Sequence, residues 1–145
     1  MPGELQVVGE GDLARLLSSL APGLVEGEFV FCTIENACYG DFAQLSPLAS
    51  FREREGLTLV LAQSGADEAG FTYESVFRCI TLNVHSSLDA VGLTATVCAL
   101  LAQRGISANV IAAYYHDHIF VQSERATEAL AVLKESWTDS PLLRV

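Results

Sequence analysis

The second half of the chain contains an order of predicted elements that few folds accommodate. Residues 78–85, "RCITLNVH", alternate apolar and polar side chains, which is typical of a strand. A helix is expected next, with Ser86 or Ser87 as its N-terminal cap and Gly105 as its stop. Two strands and a second helix follow in "ISANVIAAYY", "HIFVQ" and "ERATEALAVLKESW", and "LLRV" could add a short strand. The order β-α-β-β-α-(β) indicates the split βαβ, or ferredoxin-like, layout.

The first of these helices is predicted to bury one apolar face. Val91, Ala95, Cys98 and Leu101–Ala102 recur at helical spacing, and a stripe of this kind normally faces the core. We therefore expect this stripe to be buried.

The first half of the chain repeats the same order of elements. Its candidates are "LQVV" (strand), "GDLARLLSSLAPG" (helix), "EFVFCTIE" and "LTLVLAQ" (strands) and "SGADEAGF" (helix). When residues 58–69 are aligned with residues 118–129, Ala66, Glu68 and Ala69 match Ala126, Glu128 and Ala129. The pattern predicts an α+β protein of two ferredoxin-like repeats with antiparallel sheets, the first at residues 1–72 and the second at residues 73–145.

An irregular stretch interrupts the first repeat at residues 36–56, between its two central strands. It contains "LASFRE", which predicts either an extra strand or part of a loop that covers a cleft. Glu53, Arg54 and Glu55 follow and are expected to form a solvated turn.

Composition excludes several classes of function. The formal net charge of −10 argues against a nucleic-acid partner and, more weakly, against an anionic membrane surface. The N-terminus lacks a secretory pattern, and no apolar run reaches the 18 or so residues of a membrane span. We expect a cytoplasmic protein whose four cysteines are reduced, since none of them forms a CxxC pair.

The stretch "YYHDHIF" raises the question of a metal or catalytic site. A polar hairpin turn at residues 115–117 is one interpretation, because aspartate tolerates turn conformations. A metal site would use His116 and His118, completed by His85 or Asp117. Catalysis would need a nucleophile or base with a partner, but no GxSxG, HExxH, P-loop or GxGxxG motif is present. We therefore predict no enzyme activity, no metal and no cofactor.

Several motifs taken together resemble one known family. They are "EFVFCTIE", "FREREGLTLVL", "ITLNVHSSLDAVGLTA", "GISANV" and "YYHDHIFV", and they cover most of residues 12–135. The chain resembles the ACT domains, ferredoxin-like modules that sense small molecules in amino-acid metabolism, and more closely a family of small proteins with two ACT-like repeats. The resemblance implies a ligand site at the loop between the first strand and the first helix of a repeat.

In the second repeat the resemblance places that site in one loop and one strand. Gly92 matches the loop glycine, and Asn109 matches a position at which some amino-acid-binding members carry a polar contact residue. The implied ligand-binding set is His85, Ser86, Ser87, Leu88, Val91, Gly92, Leu93 and Asn109. Structural roles remain open beside it: Gly92 for close helix–strand packing, Asn109 for a strand edge or turn, and His85 as a buried histidine.

The resemblance and the missing catalytic motifs lead to one functional expectation. The chain is predicted to be a non-catalytic regulatory protein that binds an amino acid where ACT repeats meet, and to form a homodimer through its sheet edges. Two alternatives stay open: a scaffold whose repeats pair without a ligand, and a histidine-based metal protein.

Overall fold

The computed structural model of the protein describes residues 21–83 and 92–135. Its strands and helices are β1 (Pro22–Leu24), β2 (Phe29–Ile34), β3 (Ala49–Glu53), β4 (Gly56–Ala62), α1 (Gln63–Ala69), β5 (Phe77–Leu82), α2 (Leu93–Ala102), β6 (Asn109–Ala112), β7 (Asp117–Gln122) and α3 (Ala126–Glu135). Short 3-10 turns at Ala43–Leu45 and Ser123–Arg125 complete this set. The predicted strands "LQVV" and "LLRV", and most of the predicted first helix, lie outside the described residues.

The chain divides into two compact units. One is formed by Glu26–Cys79, and the other combines the chain before Glu26 with the chain from Ile80 onward. Strand β5 therefore begins in one unit and ends in the other. The boundary between repeats at residues 72 and 73 stays a prediction.

The unit Glu26–Cys79 contains an antiparallel sheet in the order β3-β4-β2, and β2 meets the start of β5 at Phe29 and Phe77. Helix α1 packs on β2 and β4. Its core contains Val30, Cys32, Leu57, Leu59, Leu61 and Ala66, all buried. The alternating apolar residues of β2 and β4 thus form the face that α1 covers.

The interruption at residues 36–56 contains the predicted extra strand, which is confirmed as β3. It pairs with β4 alone among the described strands and is therefore an edge strand. Before it, Phe42 and Leu45 pack against the core, and the Phe42 ring lies edge-on to Phe71 at 5.1 Å between centroids. Of the two alternatives the strand is therefore present, and the segment before it packs on the core of this unit.

The other unit contains strands in the order β5-β7-β6, with β1 paired to β5. Helices α2 and α3 contact each other and pack over these strands. The core contains Ile80, Leu82, Leu93, Val97, Leu100, Leu101, Ile106, Ile119, Val121, Ala126, Ala129, Val132 and Leu133. The α+β class and the ferredoxin-like arrangement are confirmed.

Helix α2 differs from its prediction in the face it buries. Its buried residues are Leu93, Val97, Leu100 and Leu101, whereas Ala95 is exposed and Cys98 only half-buried. The helix, "LTATVCALLA", is apolar nearly throughout. Its sequence therefore fits more than one stripe, and only the large side chains settle which one is buried.

The internal duplication has a structural counterpart at the end of β4 and of β7. Ala62 and Gln122, which the alignment superimposes, have nearly the same backbone angles, φ −56° and ψ 135° against φ −55° and ψ 139°. Ala66 and Ala126 are superimposed as well, and both are buried. Each repeat thus leaves its last described strand through the same turn into a helix.

No helix within residues 21–83 and 92–135 is both long enough and apolar enough to cross a lipid bilayer.

Candidate functional site

Gly92 stands immediately before helix α2 in a conformation that favours glycine. Its φ is +97°, in the left-handed region, and its carbonyl accepts a hydrogen bond from Thr96 N at 2.9 Å. A Cβ atom added to Gly92 would meet no described heavy atom within 4 Å. No described residue packs closely enough to require glycine here, whereas the positive φ favours it.

The start of α2 presents backbone N–H groups that its preceding residue does not cap. Gly92 has no side chain to accept from them, and Thr94 and Ala95 are exposed. Leu93 is only 2% exposed and belongs to the core. Its side chain anchors the helix, so any contact of Leu93 with a ligand would come from its backbone. A helix N-terminus is a favourable place for a carboxylate.

Asn109 is exposed and is the first residue of β6, which is an edge strand among the described strands. Its Nδ2 donates to the carbonyl oxygen of Phe120, its cross-strand partner, at 3.2 Å. This bond fits the strand-edge role and leaves Oδ1 and one N–H for another group. The first repeat has no counterpart, since Phe31 occupies the same register opposite Val60.

The remaining predicted ligand residues lie outside the described part of the chain. These are His85, Ser86, Ser87, Leu88 and Val91. The predicted serine cap therefore stays a prediction, and the helix as described begins at Leu93. The structure places Gly92 and Leu93 together at the start of α2, and Asn109 at the start of β6.

The histidine stretch forms the end of a hairpin turn and the start of a strand. The turn is at residues 113–116, closed by Ala113 N donating to His116 O at 3.0 Å. The predicted turn at 115–117 is therefore wrong in position. Asp117 is paired with Ala112 as the first residue of β7, and Tyr114 and Tyr115 occupy the turn. The tyrosines at the tip replace the polar turn residues that the prediction relied on.

The two described histidines lie near each other without a third ligand. Their ring centroids are 6.5 Å apart, and Thr81 Oγ1 lies 2.9 Å from His118 Nδ1. Among the described residues no group of three or more His, Cys, Asp or Glu side chains is placed to hold a metal ion. His85, the third imidazole of the metal hypothesis, lies outside them. The metal hypothesis therefore rests on two rings of which one is hydrogen-bonded to the neighbouring strand.

Burial lowers the pKa of His118, the neighbouring His116 lowers it further, and Asp117 partly opposes both effects. The unfolded chain then binds more protons than the folded chain as the pH falls below about 6.5, so the free energy of unfolding falls with it. We expect the urea midpoint to decrease between about pH 7.5 and pH 5.5, and to decrease less in His118→Gln. Equal slopes for the two proteins would contradict this assignment. NMR titration of the His118 ring checks the pKa directly.

Two matches to protein families agree with this geometry. An ACT domain matches residues 8–78, and a second ACT domain matches residues 74–135. The chain therefore belongs to the ACT-domain family and carries two ACT domains in tandem, as the motifs predicted.

Solved structures show the same fold. A Vibrio cholerae protein of unknown function, described as a possible transport protein, is 54% identical; the match covers 85% of this chain and 94% of that one, with a TM-score of 0.79. An Agrobacterium tumefaciens protein is 16% identical over 77% of this chain and 84% of its own, with a TM-score of 0.65. The ligand-free regulatory subunit of aspartate kinase from Thermus thermophilus is 11% identical over 79% and 95%, with a TM-score of 0.58. No curated protein sequence matches the chain.

Proposed function

We propose that the protein is a non-catalytic regulatory protein that binds an amino acid at the start of α2 in its second ACT domain. The observation that carries the proposal is Gly92. Gly92 has a positive φ, supplies no side-chain cap to the ten-residue helix that follows it, and has no described atom within 4 Å of an added Cβ. The first N–H groups of that helix suit the carboxylate of an amino acid, and Oδ1 and the second N–H of the Asn109 amide suit its polar atoms.

The ACT family is the second support for this proposal. The regulatory subunit of aspartate kinase shares the fold, although at 11% identity. The two matched ACT domains account for residues 8–135, and neither brings a catalytic motif. The proposed output is therefore a change in the relation of ACT units, transmitted to a partner protein.

A homodimer is part of the same proposal. Strands β3 and β6 are edge strands among those described, and open edges invite pairing with a second copy. The alternative is a scaffold whose ACT domains pair without a ligand. Sedimentation analysis with and without the bound amino acid separates the two, because only a sensor changes its association when the ligand is added.

The first test is a thermal-shift screen of the full chain against the twenty amino acids. A ligand at about 100 times its Kd is expected to stabilise the protein by about 2.7 kcal/mol. The dissociation constant of the responding amino acid, measured by calorimetry, is expected to rise about ten-fold or more in Asn109→Ala, since a hydrogen bond to a charged group is lost.

Gly92→Ala has a matched control in Gly105→Ala. Both glycines have positive φ, +97° and +69°, and neither has a described atom within 4 Å of an added Cβ. Both variants are expected to lose similar stability, about 1–2 kcal/mol, but only Gly92→Ala should lose the ligand. Equal binding by both variants, or no response to any amino acid, would contradict the proposal.

A further inference from the structure

Large apolar side chains are exposed at strand β3 and directly beside it. Phe51, in the middle of β3, is 70% exposed, and Leu48, just before the strand, is 52% exposed. Tyr39 is 78% exposed and lines the same cleft as Leu48. Single exposed apolar residues are ordinary, whereas several at one place indicate a contact surface. The backbone of β3 shows which partner this surface fits.

One side of the β3 backbone is not paired with any described strand. Glu53 and Gly56 flank a two-residue turn and form the closing pair of the β3–β4 hairpin, which is a hydrogen-bonded pair in turns of this length. Such pairs alternate with pairs that lack backbone hydrogen bonds, so Phe51 also bonds toward β4. Ser50 and Arg52 therefore direct their N–H and C=O groups to the outer edge.

A second copy of β3, antiparallel to the first, satisfies these outward groups. A twofold axis perpendicular to the sheet and passing beside Phe51 pairs all five residues of Ala49–Glu53 with their counterparts. Ser50 of each copy is then opposite Arg52 of the other. Because both residues direct their backbone groups outward, each of these pairs is hydrogen-bonded. The edge is therefore complementary to itself in this register.

The side chains of β3 agree with the same register. Phe51 is opposite Phe51 of the second copy, in a pair without backbone hydrogen bonds, where side chains are closest and aromatic pairs are favourable. Glu53 is opposite Ala49, and Arg52 is opposite Ser50, whose hydroxyl can accept from the guanidinium. A register centred on Arg52 would pair fewer residues and would place two guanidinium groups opposite each other, which is destabilising.

Strand β6, the other edge strand among those described, offers less for such a contact. Its apolar residues Val110 and Ile111 are only half-buried, but Val110 packs against the core of its own unit. No side chain of β6 is a large, exposed hydrophobic group of the kind that Phe51 provides.

We propose that β3 pairs with β3 of a second copy, centred on Phe51, so that the two sheets continue into one another. This inference rests on the homodimer of the proposed function, for which it selects the edge, the register and the symmetry. The ring of Phe51 is exposed in the single chain and becomes covered by its own counterpart.

Cysteine cross-linking of the full chain tests the register, in a Cys38→Ser background because Cys38 is exposed. A mixture of Ala49→Cys and Glu53→Cys proteins is expected to form a disulfide-linked dimer on mild oxidation, since these positions are opposite each other. Either protein alone should not, because each position is four residues, or about 14 Å, from its own counterpart. Phe51→Cys alone is expected to cross-link to itself. Non-reducing gel electrophoresis measures all four cases.

Sedimentation equilibrium tests the edge itself with Phe51→Glu. This variant is expected to raise the dimer Kd about ten-fold or more, because it replaces an aromatic pair by two opposed carboxylates. Tyr114→Glu is the matched control: Tyr114 is 75% exposed, but it lies in the turn between β6 and β7, so its replacement should leave the dimer Kd unchanged. Circular dichroism checks that both variants are folded.

The possible results separate this inference from the proposed function. A dimer that Phe51→Glu does not weaken, equal effects of the two glutamate variants, or a missing cross-link in the Ala49→Cys and Glu53→Cys mixture would overturn the β3 contact alone. A chain that stays monomeric at every concentration would overturn the homodimer as well. The amino-acid screen tests the sensing role independently of either result.

Discussion

Replacing Leu101 with alanine is expected to lower the free energy of unfolding by about 2–5 kcal/mol. Leu101 is fully buried in the core that α2 and α3 form over β5 and β7. Its carbonyl also accepts hydrogen bonds from Arg104 N and Ile106 N where α2 ends. Truncation removes apolar contacts from a site that backbone bonds hold in place, so the cavity cannot close easily. Urea denaturation followed by circular dichroism measures the loss.

Leu48→Ala is the matched control for this change. Leu48 is 52% exposed, so the same truncation is expected to alter the free energy of unfolding by only about 0.5 kcal/mol. Similar losses for the two variants would show that α2 is not fixed by its buried face. The proposed amino-acid site depends on the buried face of α2, because the position of this helix sets the position of its N-terminus at Gly92.

The strands of this protein could be predicted because their patterns are strict. In β4 the leucines at 57, 59 and 61 alternate into one core, as a period of two predicts, and Val60 on the opposite face is buried as well. For "LASFRE" the pattern left a strand and a loop open, and the structure shows the strand β3. The buried face of a helix was harder to predict, because α2 is apolar on nearly all sides and its buried stripe depends on side-chain volume.

Part of the candidate site could likewise be predicted from the sequence, and part could not. The resemblance to ACT domains led to Gly92, and the structure gives a physical reason for glycine there, a positive φ. The hydrogen bond from Asn109 to Phe120 could not be foreseen, because it depends on the register of β6 with β7. That register also moved the hairpin turn from 115–117 to 113–116.

The surroundings of β3 were the part furthest from the reach of the sequence. Arg52 was assigned to the candidate strand "LASFRE", and Glu53, Arg54 and Glu55 to a solvated turn; for Arg54 and Glu55 that interpretation holds. The alternation of Ser50 and Arg52 with Phe51 was the available signal. It becomes informative only when pairing with β4 places both polar residues on the face of Leu57 and Leu59.

Gly56→Ala is expected to lower the free energy of unfolding by about 1–3 kcal/mol. Gly56 closes the β3–β4 hairpin opposite Glu53. A Cβ atom there would lie 2.9 Å from the carbonyl oxygen of Ile34 and 2.9 Å from Thr33 Oγ1. The carbonyl belongs to the neighbouring strand and cannot move aside alone, so the sheet itself must shift. Urea denaturation measures the loss.

Gly65→Ala separates this steric cost from the general effect of a glycine substitution. Gly65 lies inside α1, and an added Cβ would meet no described atom within 4 Å. Alanine is the better helix former, so this variant is expected to gain about 0.5–1 kcal/mol. Opposite signs for two Gly→Ala changes would locate the constraint in the contact between β4 and β2.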